Sequence, residues 1–247
     1  MPEGYSRIFL LSHMRAFTSL AGHILGSHSS INGYFEMHIS YDDASALDKQ
    51  LDVYQQYEAL KENSHYLFDK LLHNDYQLIP ELPGYPGTTI PDIKILVSLL
   101  EPEQTIKSIV NLFVQKETEE LYASPIEATN YYIERVKTLA DFCKTSNQRY
   151  YYYDAEMFKS TPDRLLPQLT SWLELDTPLC ERYQVFSQTG KAGKGDSSKF
   201  IRSGTIDKTK VDYSHISIPQ DELSRALEVY QDCREIIIEN AVDSVIY

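Results

Sequence analysis

Short apolar runs alternate with longer amphipathic stretches along this chain. Residues 8–11 (IFLL) and 93–100 (IKILVSLL) are largely apolar, which is typical of strands buried on both faces of a parallel sheet. A third run, residues 149–158 (RYYYYDAEMF), has aromatic side chains in place of aliphatic ones. We predict that these three segments form strands of one sheet.

Apolar residues between and after these runs recur at the spacing of a helix. The helical stripes start with Leu20, Ile24 and Leu25 and continue over residues 127–145, 161–173 and 219–242. Strands that alternate with helices predict an α/β sandwich with a central, mostly parallel sheet flanked by helices. No internal repeat or separating linker is present, so we predict a single domain over residues 1–247.

The charge of the chain restricts its partners. A net charge of −13 argues against nucleic acid as a general partner, because no basic excess is available to displace counterions. An anion would therefore need a local cluster of cations. The three cysteines form no CxxC or disulfide framework, which predicts a reducing compartment. No apolar run reaches the roughly 20 residues of a membrane helix, so we expect a cytoplasmic protein.

The segment after the first strand has the residues of an anion site. Arg15 adds a fixed positive charge to SHMRAFTS, and Thr18 and Ser19 add hydroxyl donors. The first N–H groups of a helix lack partners within the helix and attract anions. The chain has no GxxxxGK[ST] motif, which argues against a nucleoside-triphosphate P-loop. Taken alone, the segment is interpreted more simply as an ordinary polar turn.

Several motifs, in their order and spacing, resemble the sulfotransferase superfamily that uses 3′-phosphoadenosine-5′-phosphosulfate (PAPS). SHMRAFTSL resembles the phosphosulfate-binding loop, and the matching residues are Ser12, Arg15, Thr18, Ser19 and Leu20. Ala16 and Phe17 complete this loop, with Phe17 where the family has glycine. In the branch with tyrosylprotein and many bacterial sulfotransferases, the helix ends in a histidine and a short strand then ends in a glutamate. Here these are His28 and Glu36. The resemblance implies a P-loop-like three-layer sandwich.

Three further segments carry the resemblance downstream. FDKLLHND is similar to the family segment whose lysine contacts the sulfuryl group, and Lys70 is the match. KILVSLLEPEQTIKSIV resembles the segment that binds the 3′-phosphate: Ser108 matches, but Leu100 replaces the arginine. RYYYYDAEMF places Tyr153 where the family has a tyrosine near the adenine. A core aromatic at the end of a strand is an equally good interpretation of Tyr153.

Residues 189–206 (TGKAGKGDSSKFIRSGTI) resemble the glycine-rich motif near the C-terminus of many bacterial members. Glycines such as Gly195 let backbone amides approach phosphate oxygens. Lys191, Lys194 and Arg202 form a local cationic patch around them. The resemblance therefore implies a clamp for the 3′-phosphate that offsets Leu100, and Lys107 is the other candidate for the place of the missing arginine.

The family's activity is transfer of a sulfuryl group from PAPS to an acceptor hydroxyl or amine, which leaves 3′-phosphoadenosine-5′-phosphate (PAP). By this resemblance Arg15 and Lys70 hold the sulfuryl group and the departing phosphate, and Thr18 and Ser19 donate hydrogen bonds. Glu36 is then the general base.

Alternatives stay open at the level of sequence. His13 and His38 are rival bases. Phe17 and Leu100 motivate a second hypothesis, a catalytically impaired nucleotide-binding or regulatory protein that kept the fold. A P-loop kinase is a third hypothesis, disfavoured by the missing motif. The oligomeric state is open, and so is the acceptor: carbohydrate, tyrosyl peptide, lipid headgroup or small alcohol. Residues 42–61 are a candidate cover for the acceptor cleft.

Overall fold

A computed structural model describes residues 4–79, 92–115, 121–191, 195 and 200–247. Within these residues, six strands form one sheet in the order β2-β3-β1-β4-β5-β6, and every neighbouring pair is parallel. The strands are β1 (Ser6–Leu11), β2 (Ile31–Asn32), β3 (Tyr66–Leu71), β4 (Ile93–Leu99), β5 (Tyr150–Asp154) and β6 (Asp243–Val245). The predicted α/β fold with a central parallel sheet is confirmed.

Helices cover both faces of this sheet. They are α1 (Thr18–Ser27), α2 (Ser45–Gln55), α3 (Pro102–Val114), α4 (Pro125–Thr145), α5 (Met157–Ser160), α6 (Pro162–Trp172) and α7 (Gln220–Asn240). Alternate residues of β1 belong to two different hydrophobic clusters. Phe9 belongs to a cluster with residues of α3, α4 and α7, whereas Ile8 belongs to a cluster with residues of α1 and α6. This arrangement gives the three layers.

The helices α3, α4 and α6 each begin with a proline, for the same local reason. Pro102, Pro125 and Pro162 each occupy the first turn of a helix, where the missing N–H is not needed and the fixed φ suits the helix. The predicted helices over residues 127–145, 161–173 and 219–242 correspond to α4, α6 and α7. The residues predicted to follow the first strand form α1.

The sheet contains more strands than the apolar runs indicate. The three predicted strands are β1, β4 and β5, but β5 ends at Asp154 and the rest of that aromatic run enters α5. β3 is missed because Asp69 and Lys70 interrupt its apolar pattern, although both are buried. The short strands β2 and β6 are also missed.

One expectation about the segment after α1 is wrong. The strand expected to end at Glu36 ends four residues earlier, at Asn32. Gly33 follows with φ of +108°, and a Cβ there would lie 2.3 Å from the backbone oxygen of Phe68. The chain therefore leaves the sheet at a position that only glycine fits. The proline- and glycine-rich loop of residues 80–91 lies outside the described residues.

The parallel topology brings five connections to one edge of the sheet. The chain leaves β1, β2, β3, β4 and β5 at their carboxyl ends, which is where parallel sheets place ligands. No helix in the described part of the chain is long and apolar enough to cross a membrane.

Candidate active site

The loop between β1 and α1 has a backbone conformation that ordinary residues seldom adopt. Arg15 and Phe17 have positive φ values of 66° and 53°, which cost roughly 1–2 kcal/mol each for residues with a Cβ. Neighbouring side chains hold the loop in place. Tyr131 Oη accepts a hydrogen bond from Met14 N at 2.8 Å, and Ser12 Oγ donates to Ser98 O at 2.8 Å. Packing thus maintains a turn for which glycine would be the usual choice.

The first turn of α1 presents its donors to a cavity. No side chain caps this helix, so its leading N–H groups have no partner within the helix. Thr18 and Ser19 occupy the first turn and line the cavity. Ala16 is buried against Leu100 and Ala155, so it can contribute to the loop only through its backbone.

This cavity, which we call the main cavity, has a volume of about 670 Å³. Its wall joins residues from the β1–α1 loop to residues of α3. Arg15 Nε donates to Ser108 Oγ at 2.9 Å, and Tyr213 Oη donates to the same oxygen at 3.0 Å. Arg15 and Ser108 are 93 positions apart in the chain, and they meet because β1 and β4 are neighbours in the sheet.

Lys70 lies behind the first turn of α1. It is 1% exposed, and its Nζ donates to Ser19 Oγ at 3.2 Å. Gly195, with φ of +111°, lies against the same two groups: a Cβ at this position would be 2.7 Å from Ser19 Oγ and 3.2 Å from Lys70 Nζ. The glycine therefore lets the backbone approach a buried ammonium group and a hydroxyl.

Other residues predicted for the cofactor lie elsewhere. Tyr153 is 1% exposed and makes an edge-on contact with Phe158 at 5.6 Å between ring centroids, so it occupies the core. Arg202 packs against Gly190. Neither Lys191 nor Arg202 is among the described residues that line the main cavity. Lys194 lies outside the described residues.

Sequence reasoning missed three lysines that do line the main cavity: Lys159, Lys208 and Lys210. Lys159 follows the aromatic run, where it reads as a surface residue of a short helix. Lys208 and Lys210 form a KTK sequence just beyond the glycine motif. This local basic pair in an acidic chain was the available signal.

Glu36 lies in a second polar group, which we call the Glu36 cluster: Glu36, His38 and His73. Glu36 is 7% exposed, and its Oε1 has no hydrogen-bond partner among the described residues. His73 Nε2 lies 3.8 Å from Oε1 and His38 Nδ1 lies 4.0 Å from it. Burial lowers the pKa of His73, so its imidazole favours the neutral form.

Asp69 connects this cluster to the strand of Lys70. Its Oδ1 accepts hydrogen bonds from Met37 N at 3.1 Å and Lys70 N at 2.7 Å. Its Oδ2 accepts a hydrogen bond from Tyr41 Oη at 2.6 Å. Burial raises the pKa of Asp69 to about 7 in spite of these donors. The backbone next to Glu36 is thus fixed to β3.

A buried arginine, also missed from the sequence, ties β1 to β3. Arg135 Nε donates to Ser12 O at 2.8 Å and Nη2 donates to Leu71 O at 2.6 Å. Burial lowers the pKa of Arg135 to about 10, whereas the charge of Glu36 acts to raise it. Arg135 therefore stays charged at neutral pH and interacts favourably with the Glu36 carboxylate.

The two rival histidines differ in their surroundings. His13 is fully buried, with Nδ1 2.9 Å from Met14 O and Nε2 accepting from Leu100 N at 3.0 Å. Burial lowers its pKa to about 4. Both ring nitrogens are therefore occupied in joining the ends of β1 and β4. His38 is partly exposed at the Glu36 cluster.

The comparisons with known proteins identify the class of fold. No protein-family model and no curated protein matches the sequence. Among solved structures, the sulfotransferase domain from the curacin biosynthetic pathway superposes with a TM-score of 0.60 and 20% identity, over 92% of this chain and 98% of that domain. The sulfotransferase domain of the Synechococcus PCC 7002 olefin synthase gives a TM-score of 0.58 and 16% identity, over 94% and 96%. This chain has the sulfotransferase fold.

Proposed function

We propose that this protein is a sulfotransferase that moves a sulfuryl group from PAPS to an acceptor hydroxyl or amine. The observation that carries the proposal is the wall of the main cavity, where Arg15, Thr18 and Ser19 meet Ser108. A buried lysine, Lys70, stands directly behind this wall. The likeness to two sulfotransferase domains supports the same activity.

The donor set fits a phosphosulfate chemically. A guanidinium, an ammonium, two hydroxyls and the leading amides of α1 can all donate to anionic oxygens. Gly195 has a φ of +111°, and a Cβ there would crowd Ser19 Oγ at 2.7 Å; both facts favour glycine, which lets backbone amides close on an anion. When bound, PAPS supplies an activated sulfuryl group and a phosphate leaving group.

The residues then have separate tasks. Glu36 receives the proton that the acceptor loses as its oxygen or nitrogen bonds to sulfur. Arg15 and Lys70 stabilise the negative charge that develops on the 5′-phosphate oxygen as its bond to sulfur breaks. Thr18 and Ser19 orient the group by hydrogen bonds. Positioning and fixed charge dominate such a transfer, because the protein forms no covalent bond to the group.

Further contacts remain part of the proposal. Ser108 would contact the 3′-phosphate, and Lys191, Lys194, Gly195 and Arg202 of the glycine-rich segment would also bind the nucleotide. We place Tyr153 behind the adenine pocket, as a core residue that supports its wall.

We propose a single domain over residues 1–247, because the likeness to the curacin-pathway domain covers 92% of this chain and 98% of that domain. A cytoplasmic location fits the three cysteines, which are all unpaired thiols. The acceptor belongs to the classes left open above.

Two measurements test the function. Calorimetric titration with PAP should give one site per chain, and labelled sulfate should pass from PAPS to a member of a panel of carbohydrate, tyrosyl-peptide, lipid and alcohol acceptors. Absence of PAP binding at high micromolar concentration would contradict the proposal.

The second candidate is a nucleotide-binding protein without transferase activity. The specific observation in its favour is Leu100, which is 1% exposed and supplies an apolar wall where the family has an arginine. Binding of PAP together with no sulfate transfer to any acceptor class would support this candidate. A transfer activity that depends on Glu36 would exclude it.

A further inference from the structure

The end of β4 supplies no cation to the main cavity. Leu100 is held there through its backbone: its N–H donates to His13 Nε2 at 3.0 Å, and its carbonyl accepts from Tyr132 Oη at 2.8 Å. Its side chain contributes only apolar surface to the cavity wall. A nucleotide with a second phosphate would need a cation from another element.

The neighbouring strand, β5, supplies such a cation. Lys159 lies in α5, directly after β5, and lines the main cavity. Its Nζ lies 5.3 Å from the ring centroid of Phe17 and 5.8 Å from that of Phe200. Nζ also donates to Thr209 O at 3.0 Å. Two aromatic rings and a carbonyl therefore fix the position of this ammonium group.

This contact gives Phe17 a role that a glycine could not have. The backbone of Phe17 keeps the left-handed conformation of a glycine. Its side chain nevertheless lines the main cavity and faces Lys159. Phe17 in the loop and Leu100 at the position of the family's arginine are then connected. The Phe17 ring positions Lys159, and Lys159 is the cation available in place of that arginine.

The charges along the cavity wall favour an anion near Lys159. The described cationic residues of the wall are Arg15, Lys159, Lys208 and Lys210, and the acidic ones are Glu101, Glu156 and Asp207. The Glu101 carboxylate is occupied at the start of α3, where it accepts from Glu103 N and Gln104 N. Asp207 accepts from Thr209 N at 2.8 Å. Burial raises the pKa of Glu156 to about 7, which reduces its negative charge.

We infer that Lys159, positioned by Phe17 and Phe200, binds the 3′-phosphate of the nucleotide in place of the missing arginine. Lys159 is a binding residue in this assignment, and Phe17 is a positioning residue that acts through it. The inference rests on the proposed function, since it takes PAPS and PAP as the ligands of the main cavity.

The test compares two nucleotides that differ only in the 3′-phosphate. Calorimetry gives the Kd of PAP and of adenosine 5′-monophosphate for the wild type and for Lys159→Met. We expect Lys159→Met to weaken PAP binding by about tenfold or more, since a charge-assisted hydrogen bond is lost. Binding of adenosine 5′-monophosphate should change by less than about twofold. Lys144→Met, at an exposed lysine in the last turn of α4, is the matched control and should change neither value.

Four outcomes would overturn the inference. One is an equal loss for both nucleotides, and another is no loss for either while the wild type binds PAP; both leave the proposed function intact. A selective loss in Lys208→Met or Lys210→Met, but not in Lys159→Met, would assign the phosphate to the 207–213 segment instead. If the wild type binds no PAP at all, the proposed function and the inference fail together.

A second set of variants tests the role of Phe17. Phe17→Leu should weaken the binding of PAP but not that of adenosine 5′-monophosphate. Phe17→Tyr, which keeps the ring, should bind PAP as the wild type does. In the Lys159→Met background, Phe17→Leu should add little, because the two residues act as one unit. Additive losses in the double variant, or equal losses for the two nucleotides, would show that Phe17 has only a structural role.

Discussion

The main cavity and the Glu36 cluster lie at the same edge of the sheet but are built differently. Long cationic side chains from several connections line the main cavity. Glu36 is enclosed, and Asp69 fixes its neighbour Met37 to β3. The cavity departs from the sulfotransferase motifs that the sequence resembles at Phe17 and Leu100, whereas Glu36 matches the glutamate of those motifs.

This difference has a physical reason. An anion can be held by a flexible cation from any nearby strand, so the charge can move from the end of β4 to the end of β5. A proton can be transferred only over hydrogen-bond distance, so a base tolerates little displacement. We therefore expect graded effects from substitutions in the main cavity and abrupt ones in the Glu36 cluster.

The largest effect should come from Glu36→Gln. The amide keeps the shape of the side chain but cannot accept the acceptor's proton, so kcat should fall by about 10²–10⁴-fold. The Kd of PAP should stay the same, because Glu36 does not line the main cavity. Release of PAP from PAPS in the presence of an acceptor measures the first value and calorimetry measures the second. Full activity would move the base to His38 or His73.

Lys70→Met should have the next largest effect. The substitution removes a buried ammonium group and the partner of Ser19 Oγ, so kcat should fall by about 10²–10³-fold. Thermal unfolding would confirm that the variant folds, since methionine fills a similar volume. A rise in KM with kcat unchanged would mean that Lys70 contributes equally to ground-state and transition-state binding.

Asp69 connects the two regions, and its protonation should make stability depend on pH. The folded pKa is raised from 3.8 to about 7, so between these values the folded chain holds a proton that the unfolded chain lacks. Stability from this group is therefore lost as the pH rises through that window. Relative to Asp69→Asn, the wild type should gain up to about 1.4 kcal/mol of unfolding free energy per pH unit as the pH falls from about 7 to about 4. Urea unfolding at several pH values measures the difference, and a difference independent of pH would refute the assignment.

The smallest effect concerns the backbone of the loop. Phe17→Gly should be more stable than Phe17→Ala by about 1 kcal/mol, because only the glycine is unstrained at φ of 53°. Both variants lose the same aromatic ring, so the pair isolates the backbone contribution. Urea midpoints give the comparison. Equal stability would mean that the loop relaxes when the ring is removed.

The sequence predicted the strands that have a continuous apolar pattern and missed the one whose pattern is interrupted by charged residues. Continuous apolar runs identified β1, β4 and β5, but β3 carries a buried Asp69 and Lys70, which a hydropathy pattern assigns to the surface. The meeting of Arg15 with Ser108 follows from β1 and β4 being neighbours; the motifs placed both residues at one cofactor but predicted no contact between them. Arg15 and Ser108 can be predicted as site residues because each follows the carboxyl end of a single strand.

The contacts that depend on the path of the chain were not predictable. Lys159 lines the main cavity, where Phe17 and Phe200, from distant parts of the sequence, converge on it. Arg135 ties β1 to β3 from the middle of α4, where it reads as a helical surface charge. The sequence does not show whether His13 is a base or a structural residue. Its two hydrogen bonds define a structural role.

Calorimetric titration of PAP into the wild type and into Arg15→Ala tests the central claim most directly, since it needs no knowledge of the acceptor. We predict saturable binding of one PAP per wild-type chain and binding weaker by about tenfold or more in Arg15→Ala. Absence of binding to the wild type at high micromolar PAP, or equal binding by both proteins, would contradict the account.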